Sequence, residues 1–409
     1  MLDYIYIHIL RRRFRGRKIF NSLLLLLLAV PSAFSAAPAG LETLALSAKG
    51  GPAGLFGGKT LPPVEAPAVA PPFYAPAPDR GGYDWSGLPA YLFTDEEPLA
   101  KPIVEAINRT RKTLDVALYN LQIDDTVAAL VKAKERGVKV RVLFDSAHVY
   151  PLAGKQIQAV IASGIETRAM NGRGGTGAMH CKYALFDGAL LQTGSANWSG
   201  FAETFSYENI MFAADPDIVA GYGRTFEWMW LQAKPAGQPE AAAAKPSSPP
   251  FDPTPDVNFN GTMLPDYSFS PRGGTEAAIA KAIDAARSEA DVAMFTFTSK
   301  PIMEALKRAS ARGVRVKLML FIDQKFPFEQ EARAGRMELH YKTGRLEKGQ
   351  MHNKFAVLDG KLLINGSFNW TATAENSNTE NTIFTMAPEY VSPYKAQFDR
   401  LFIKTSLPR

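Results

Sequence analysis

The feature that most limits what this chain can become is a stretch written twice. "MHCKYALFDGALLQTGSANW" (Met179–Trp198) and "MHNKFAVLDGKLLINGSFNW" (Met351–Trp370) align without a gap, 172 positions apart. The similarity continues upstream, where "RTRKTLDVALYNL" and "KAKERGVKVRVLFD" answer "AARSEADVAMFTF" and "KRASARGVRVKLMLF". A repeat this long is a whole folding unit used twice, and a length of 409 residues suits two units of ordinary domain size.

Within each copy, "VALYNL", "VKVRVLF", "VAMFTF" and "VRVKLML" are short runs rich in Val and Leu, as strands are. Between them, "DTVAALVKAKERG" and "PIMEALKRASARG" repeat apolar residues at the helical period. Strand, crossover helix and strand predict an α/β fold with a largely parallel sheet in each half. The halves are expected over 80–232 and 257–409. The stretch 233–256, "AKPAGQPEAAAAKPSSPPFDPTPD", reads as a linker, and 37–79, with "PPVEAPAVAPPFYAPAP", reads as a flexible spacer that cannot bury enough apolar surface to order itself.

At the N-terminus, "RRRFRGRK" precedes the apolar "IFNSLLLLLLAV" and the small residues of "PSAFSAAPAG". That order is a secretory signal peptide over 1–36, cleaved after Ser35 or Ala37, and predicts export to the periplasm or beyond. It also explains the charge. The chain carries +6, but Met1–Ala36 holds six basic residues against Asp3, so the remainder is close to neutral and makes no global electrostatic case for a polyanion. Cys181 is the single cysteine, so no internal disulfide is available, and the five histidines have no HExxH spacing. Neither a metal nor a cofactor is expected.

In "HCKYALF" the histidine and lysine are two apart and leave one face of a strand, while Cys181, Tyr183 and Leu185 face the other way. Cys181 therefore reads as a small buried hydrophobe. Asp187-Gly188 is a two-residue hairpin turn. Pairing Phe186 with Ala189 sets His180 opposite Ser195 and beside Asn197, and the same folding sets His352 opposite Ser367 and beside Asn369. Asp187 and Asp359 fall off that face and read as structural. Glu208 and Glu380 each follow their histidine by 28 positions, where a carboxylate can accept a hydrogen bond from an imidazole. Glu203 and Glu375 read as solvated, His148 and His340 as incidental because they lack counterparts, Trp198 and Trp370 as core at least as much as pocket, and "NGRGGTG" as a flexible loop carrying Arg173.

These residue types suit a phosphodiester. Lys182, Lys354, Asn197 and Asn369 donate to non-bridging oxygens, with Ser195 and Ser367 in support, while one histidine attacks phosphorus and the other protonates the leaving oxygen. One copy supplies one histidine. Two copies meeting face to face supply both, which is why the stretch is written twice.

The pattern H-x-K-x4-D followed by G-S-x-N, present as His180, Lys182, Asp187, Gly194, Ser195, Asn197 and as His352, Lys354, Asp359, Gly366, Ser367, Asn369, resembles the phospholipase D superfamily. The resemblance runs from about Pro89 to the C-terminus. It implies two tandem α/β/α halves with mixed sheets related by a pseudo-twofold axis, a shared cleft, a phosphohistidine intermediate without metal, His180 as nucleophile and His352 as acid. The run "GSFNWTATAENSNTEN" looks most like the small branch that holds bacterial endonucleases and the mitochondrial cardiolipin-hydrolysing enzyme, whose one-motif chains work as dimers. Both motifs in one chain imply a monomer here. Three activities follow from the resemblance. The first is hydrolysis of phospholipid head groups at a membrane surface. The second is cleavage of nucleic acid with help from Arg173, Arg345 and Lys348. The third is phosphatidyl transfer to an alcohol, with a non-catalytic lipid- or polyanion-binding module as the outsider.

Overall fold

The computed structural model describes residues 82–173, 177–237 and 248–403. The predicted signal peptide and the spacer at 37–79 lie outside the described residues. Among the described residues, fifteen of seventeen short strands build two mixed sheets, with helices between them.

The first sheet contains β1 (Tyr91–Phe93), β2 (Thr113–Leu118), β3 (Lys139–Asp145), β4 (Glu166–Met170), β5 (Lys182–Phe186), β6 (Leu190–Gly194), β7 (Asn209–Ala213) and β8 (Lys234–Pro235), in the order β1-β7-β6-β5-β2-β3-β4-β8. A separate hairpin, β9 (Val257–Phe259) with β10 (Thr262–Leu264), follows. The second sheet contains β11 (Tyr267–Phe269), β12 (Glu289–Met294), β13 (Arg315–Phe321), β14 (Glu338–Lys342), β15 (Lys354–Leu358), β16 (Leu362–Gly366) and β17 (Asn381–Thr385), in the order β11-β17-β16-β15-β12-β13-β14.

The expectation of largely parallel sheets is corrected. Only β2-β3-β4 and β12-β13-β14 run parallel; the motif hairpins β5-β6 and β15-β16 and their neighbours pair antiparallel. The parallel part follows from the crossover helices Asp124–Glu135 and Lys300–Ala311, which bury Val127, Leu130 and Ala133 or Ile302, Leu306 and Ala309 against the sheet. Each helix stops at a glycine in the left-handed region, Gly137 (φ 90°) and Gly313 (φ 91°), where a Cβ would be strained. The predicted linker is attached at both ends. β8 pairs with β4, and the buried Asp252 carboxylate accepts the N–H groups of Thr254 and Asp266.

Glu203 and Glu375, read as solvated, have structural work. Glu203 accepts the N–H of Ala100 at 2.8 Å, and Glu375, 9% exposed, accepts those of Gly274 and Glu276 at 3.1 and 2.9 Å. Each carboxylate caps the start of a helix, Ala100–Arg109 or Thr275–Ala285, where unpaired N–H groups and the helix dipole favour an anion.

Every sheet buries its outer face under helices of its own half, with Trp198 in the first outer core and Trp370 in the second. The inner faces are different in kind. Cys181, Tyr183, Leu191 and Met211 of the first half share one core with Phe355, Val357, Leu363 and Ile383 of the second, and the helices Pro216–Gln232 and Pro388–Ile403 complete it. Where the helix Pro216–Gln232 meets β11, a Cβ on Gly221 would lie 2.1 Å from the Tyr267 ring, so only glycine permits the approach. The Arg400 guanidinium, on the last helix, reaches Asp95 of the first half at 2.6 Å. The halves are thus held by a common apolar core, which brings the two motif hairpins together.

Candidate active site

Each motif starts where a strand is about to begin. Asp187 (φ 51°) and Gly188 (φ 64°) make the turn between β5 and β6, but the strands pair Phe186 with Leu190 and Ala184 with Gln192. The hairpin is one residue out of the expected register, and β15 and β16 repeat the shift by pairing Leu358 with Leu362. His180 and His352 therefore do not sit opposite the motif serines. Asp187 accepts the N–H groups of Arg111, Lys112 and Thr113, and Asp359 those of Arg287, Ser288 and Glu289.

What brings the site together is a reciprocal exchange of backbone bonds. Met179 bridges to Thr379 and Met351 to Tyr207; the His180 N–H donates to Thr379 O at 2.8 Å, and that of His352 to Tyr207 O at 3.0 Å. The next residues along those partners are Glu380 and Glu208. Each glutamate accordingly meets the histidine of the other half. His180 Nδ1 hydrogen-bonds Glu380 Oε2 at 2.7 Å, and His352 Nδ1 lies 2.7 Å from Glu208 Oε1.

The serines are displaced from the expected role beside phosphate. Ser195 Oγ donates to Glu208 Oε2 at 2.6 Å and accepts the Asn209 N–H at 3.0 Å; Ser367 does the same with Glu380 at 2.7 Å and Asn381 at 3.0 Å. Both are fully buried, so they fix the carboxylates instead. The glycine before each serine is required because a Cβ on Gly194 or Gly366 would lie 2.3 or 2.1 Å from the carbonyl of Asn209 or Asn381. "NGRGGTG" is also more than a loose loop at its described ends. Cβ atoms on Gly172 and Gly177 would strike Ser377 O, so these glycines let the loop press against the other half.

The lysines are buried and parallel in arrangement. Lys182 Nζ donates to His180 O and Lys354 Nζ to His352 O, each at 2.5 Å, and each ammonium faces a ring, Tyr119 at 5.0 Å and Phe295 at 4.8 Å. The half-buried Asn197 and Asn369 keep an Oδ1 without a hydrogen-bond partner among the described residues. Below, Asn209 Nδ2 donates to Asn353 Oδ1 at 2.8 Å and Asn381 Nδ2 to Thr193 Oγ1 at 2.8 Å, a second polar crossing between halves.

Burial governs the electrostatics. It holds His180 below the usual imidazole range and His352 at about 4; the facing glutamates oppose the shift and the lysines reinforce it. It lowers Lys182 to about 8 and Lys354 well below its ordinary value. Burial would push the Glu380 carboxyl up, but His180 and Lys182 hold it down. The resting site thus sets a neutral imidazole beside each glutamate: His180 Nδ1 is hydrogen-bonded to Glu380, His352 Nδ1 lies 2.7 Å from Glu208, and each Nε2 points away from its glutamate. Lys182 affects both histidines, and Lys354 affects His180, so the two motifs form one electrostatic unit. Among the described residues, no group of three His, Cys, Asp or Glu side chains is arranged to hold a metal ion.

Several neighbours escaped the sequence reading. Tyr119 packs edge-on against His180, with ring centroids 4.7 Å apart, and Phe295 does the same with His352 at 4.5 Å. Their equivalent places after β2 and β12, in "VALYN" and "VAMFT", were visible in the repeat. His148, read as incidental, packs on the Tyr119 ring at 4.5 Å, and Asp145 accepts the Met179 N–H at 2.7 Å. His340, by contrast, stacks on Phe402 at 3.9 Å, outside the motif cluster. Asn378 donates to Glu380 Oε1 at 2.9 Å. Arg173 reaches Ser377 O through its backbone N–H, and the Arg345 guanidinium donates to Glu203 O at 2.7 Å.

Residues 103–230 and 279–402 match the family model described as "Cardiolipin synthase, PLD-like domain". The mitochondrial cardiolipin hydrolase of Chlamydomonas reinhardtii is 34% identical over 116 residues, covering 27% of this chain and 50% of that protein. A phospholipase D of Rickettsia bellii is 35% identical over 131 residues, covering 31% of this chain and 63% of its own length. The chain spans about half the length of the first of these relatives. The crystal structure of phosphatidylserine synthase from Haemophilus influenzae superposes with a TM-score of 0.56 at 12% identity, covering 77% of this chain and 86% of that one, which shows a common fold with both halves in one chain.

Proposed function

Because this chain belongs to the phospholipase D-like family and carries the family's domain twice, we propose that it cleaves phospholipid phosphodiester bonds through a covalent phosphohistidine, without a metal ion. The observation that carries this reading is the crossed arrangement of His180 with Glu380 and His352 with Glu208 around two buried lysines. With each Nδ1 facing a glutamate at 2.7 Å, the two Nε2 atoms are the reactive edges. One attacks phosphorus as the bond to the leaving oxygen breaks, and the other gives that oxygen a proton. Water then donates a proton back to the second imidazole, attacks phosphorus, and returns the electron pair to the first. Lys182, Lys354, Asn197 and Asn369 hold the non-bridging oxygens and stabilise the charge that grows on them.

A lipid is favoured over nucleic acid by exposed apolar side chains on the helix that precedes Glu208. Phe201 (41% exposed) stacks on Phe205 at 5.5 Å, and Leu346 (52% exposed) bonds its N–H to Phe205 O. Such a surface suits acyl chains. Of the basic residues that favour a polyanion, Arg345 is bound to Glu203 O and Lys348 is exposed, a small footprint for nucleic acid. The test offers mature protein phospholipid vesicles and single-stranded and duplex nucleic acid side by side, at low and moderate salt. Release of head group and phosphatidic acid that tolerates salt is expected. Rapid, salt-sensitive cleavage of nucleic acid without lipid turnover makes the nuclease reading correct, and transfer of the phosphatidyl group to added alcohol in preference to water makes it a transferase.

The basic and apolar runs of residues 1–36 and the presence of both motifs in one chain further support an exported monomer. N-terminal sequencing of the processed protein and its sedimentation mass test this directly.

A further inference from the structure

Beneath the two histidine–glutamate pairs lies a second layer of crossed bonds. It starts at Tyr222, on the helix Pro216–Gln232, and Tyr394, on the helix Pro388–Ile403, which are 172 positions apart and fully buried in the shared apolar core. Each hydroxyl crosses to the asparagine that follows the glutamate of the opposite half. Tyr394 Oη donates to Asn209 Oδ1 at 3.0 Å, and Tyr222 Oη accepts from Asn381 Nδ2 at 3.1 Å.

Packing does not ask for these hydroxyls. Each ring already lies edge-on against an aromatic neighbour, Tyr183 for Tyr222 at 5.0 Å and Phe355 for Tyr394 at 5.2 Å, and phenylalanine would fill the same space. Burying a hydroxyl is costly unless it is bonded, so its presence in both copies marks the bond it makes. The polar residues nearby change between copies, with Cys181 where the second half has Asn353 and Thr193 where it has Asn365, whereas the tyrosine, asparagine, serine and glutamate recur. Tyr390 supplies the contrast. It shares a helix with Tyr394 and also crosses to the first half, donating to Phe212 O at 2.7 Å, yet its counterpart in the other copy is Ile218.

From each asparagine the bonds run on to the site. Asn209 donates to Ser195 Oγ from its backbone N–H at 3.0 Å and from Nδ2 at 3.2 Å. With donors on the hydroxyl's lone pairs, the Ser195 hydrogen is directed at Glu208 Oε2, 2.6 Å away, and Glu208 Oε1 faces His352 at 2.7 Å. Asn209 Nδ2 also donates to Asn353 Oδ1, next to His352, at 2.8 Å. In the other copy the Asn381 N–H meets Ser367 at 3.0 Å, and Ser367 meets Glu380 at 2.7 Å. Asn365 Nδ2 donates to Tyr394 Oη at 3.1 Å, which leaves the phenol hydrogen for Asn209 and fixes which way that amide is turned. Burial pushes both phenols up, so each keeps its proton at neutral pH.

We propose that Tyr222 and Tyr394 are positioning residues: through Asn381 and Asn209 they orient the serine–glutamate pairs that face His180 and His352. The docking of each helix on the opposite half thereby sets the geometry of one catalytic pair. This rests on the phosphodiesterase reading above.

The test compares Tyr394→Phe, Tyr222→Phe and Tyr390→Phe in the full chain, on a phosphodiester that the wild type cleaves. Each removes one buried hydroxyl that crosses between halves, and all three should lower the urea midpoint by similar amounts. Tyr394→Phe and Tyr222→Phe should also lower kcat about three- to tenfold at unchanged KM, the worth of one neutral hydrogen bond, whereas Tyr390→Phe should leave kcat unchanged. Double variants trace the path. Tyr394→Phe should add little to the loss in Glu208→Gln and its full factor to the loss in Glu380→Gln, and Tyr222→Phe should do the reverse. Equal kcat losses in Tyr390→Phe and Tyr394→Phe, or full additivity of Tyr394→Phe with Glu208→Gln, make the tyrosines packing residues and overturn the proposal. Should one variant fail to fold, the other copy carries the same comparison. A wild type that cleaves neither phospholipid, nucleic acid nor a nitrophenyl phosphodiester overturns the proposed function and this inference with it; an active wild type with additive losses overturns the inference alone.

Discussion

Nδ1 of His352 lies 2.7 Å from Oε1 of Glu208, a carboxylate that belongs to the other motif, and the same crossing joins His180 to Glu380. Neither half therefore contains a complete histidine–carboxylate pair. The crossing dictates how substitutions should combine.

Glu208→Gln and Glu380→Gln should each lower kcat by about 10²-fold or more, since each removes the anion that fixes a tautomer and supports the charged ring. In double mutants, Glu208→Gln should add little to His352→Ala but should add its full effect to Glu380→Gln. Steady-state kinetics of the set checks this. If Glu208→Gln instead adds nothing to His180→Ala, the pairs are uncrossed.

Both histidines should be indispensable. His180→Ala and His352→Ala should each cost at least about 10² to 10⁴-fold with natural phospholipid, the ordinary contribution of acid–base help, and EDTA should leave the wild type active. A fully active single variant, or activity abolished by chelator and restored by a divalent ion, contradicts the mechanism.

The pH profile follows from the burial of the same groups. Catalysis needs one proton shared between two imidazoles. Both are held below the ordinary value of about 6.5, so in the free enzyme that singly protonated form accumulates on the acid side of 6.5. The maximum of kcat/KM should lie there, with a further fall as Lys182 loses its charge near pH 8. A bound phosphodiester anion favours the imidazolium, so the kcat maximum should move toward higher pH. A kcat/KM maximum at pH 8 or above is incompatible with these shifts.

Gly221→Ala should destabilise the whole molecule by about 1–3 kcal/mol, because the new methyl group meets the Tyr267 ring across the shared core. Urea unfolding should show one transition in both wild type and variant, at a lower midpoint in the variant, since neither half can keep its inner face buried alone. Two separated transitions would show that the halves are independent.

Much of this was legible in the chain itself. The repeat required two units of one fold, and the turn residues at Asp187 and Asp359 located the hairpins. Glu208 and Glu380 were recoverable because identical offsets in both copies are hard to explain by packing. Local pattern could go no further. Three-residue strands such as β1 and β11 carry too little periodicity to be read, and the hairpin register slipped by one because turn chemistry alone did not decide the pairing. The role of Ser195 and Ser367 depends on where Glu208 and Glu380 lie, and that depends on Met179 bonding to Thr379 and Met351 to Tyr207 across the halves. Partners 200 and 144 residues apart leave no mark in a local window, because a side chain's spacing specifies the face it leaves and not what it meets there. The residue types were determined by the sequence, whereas their crossed partnership was decided by one apolar core that closes only when both inner faces are buried together.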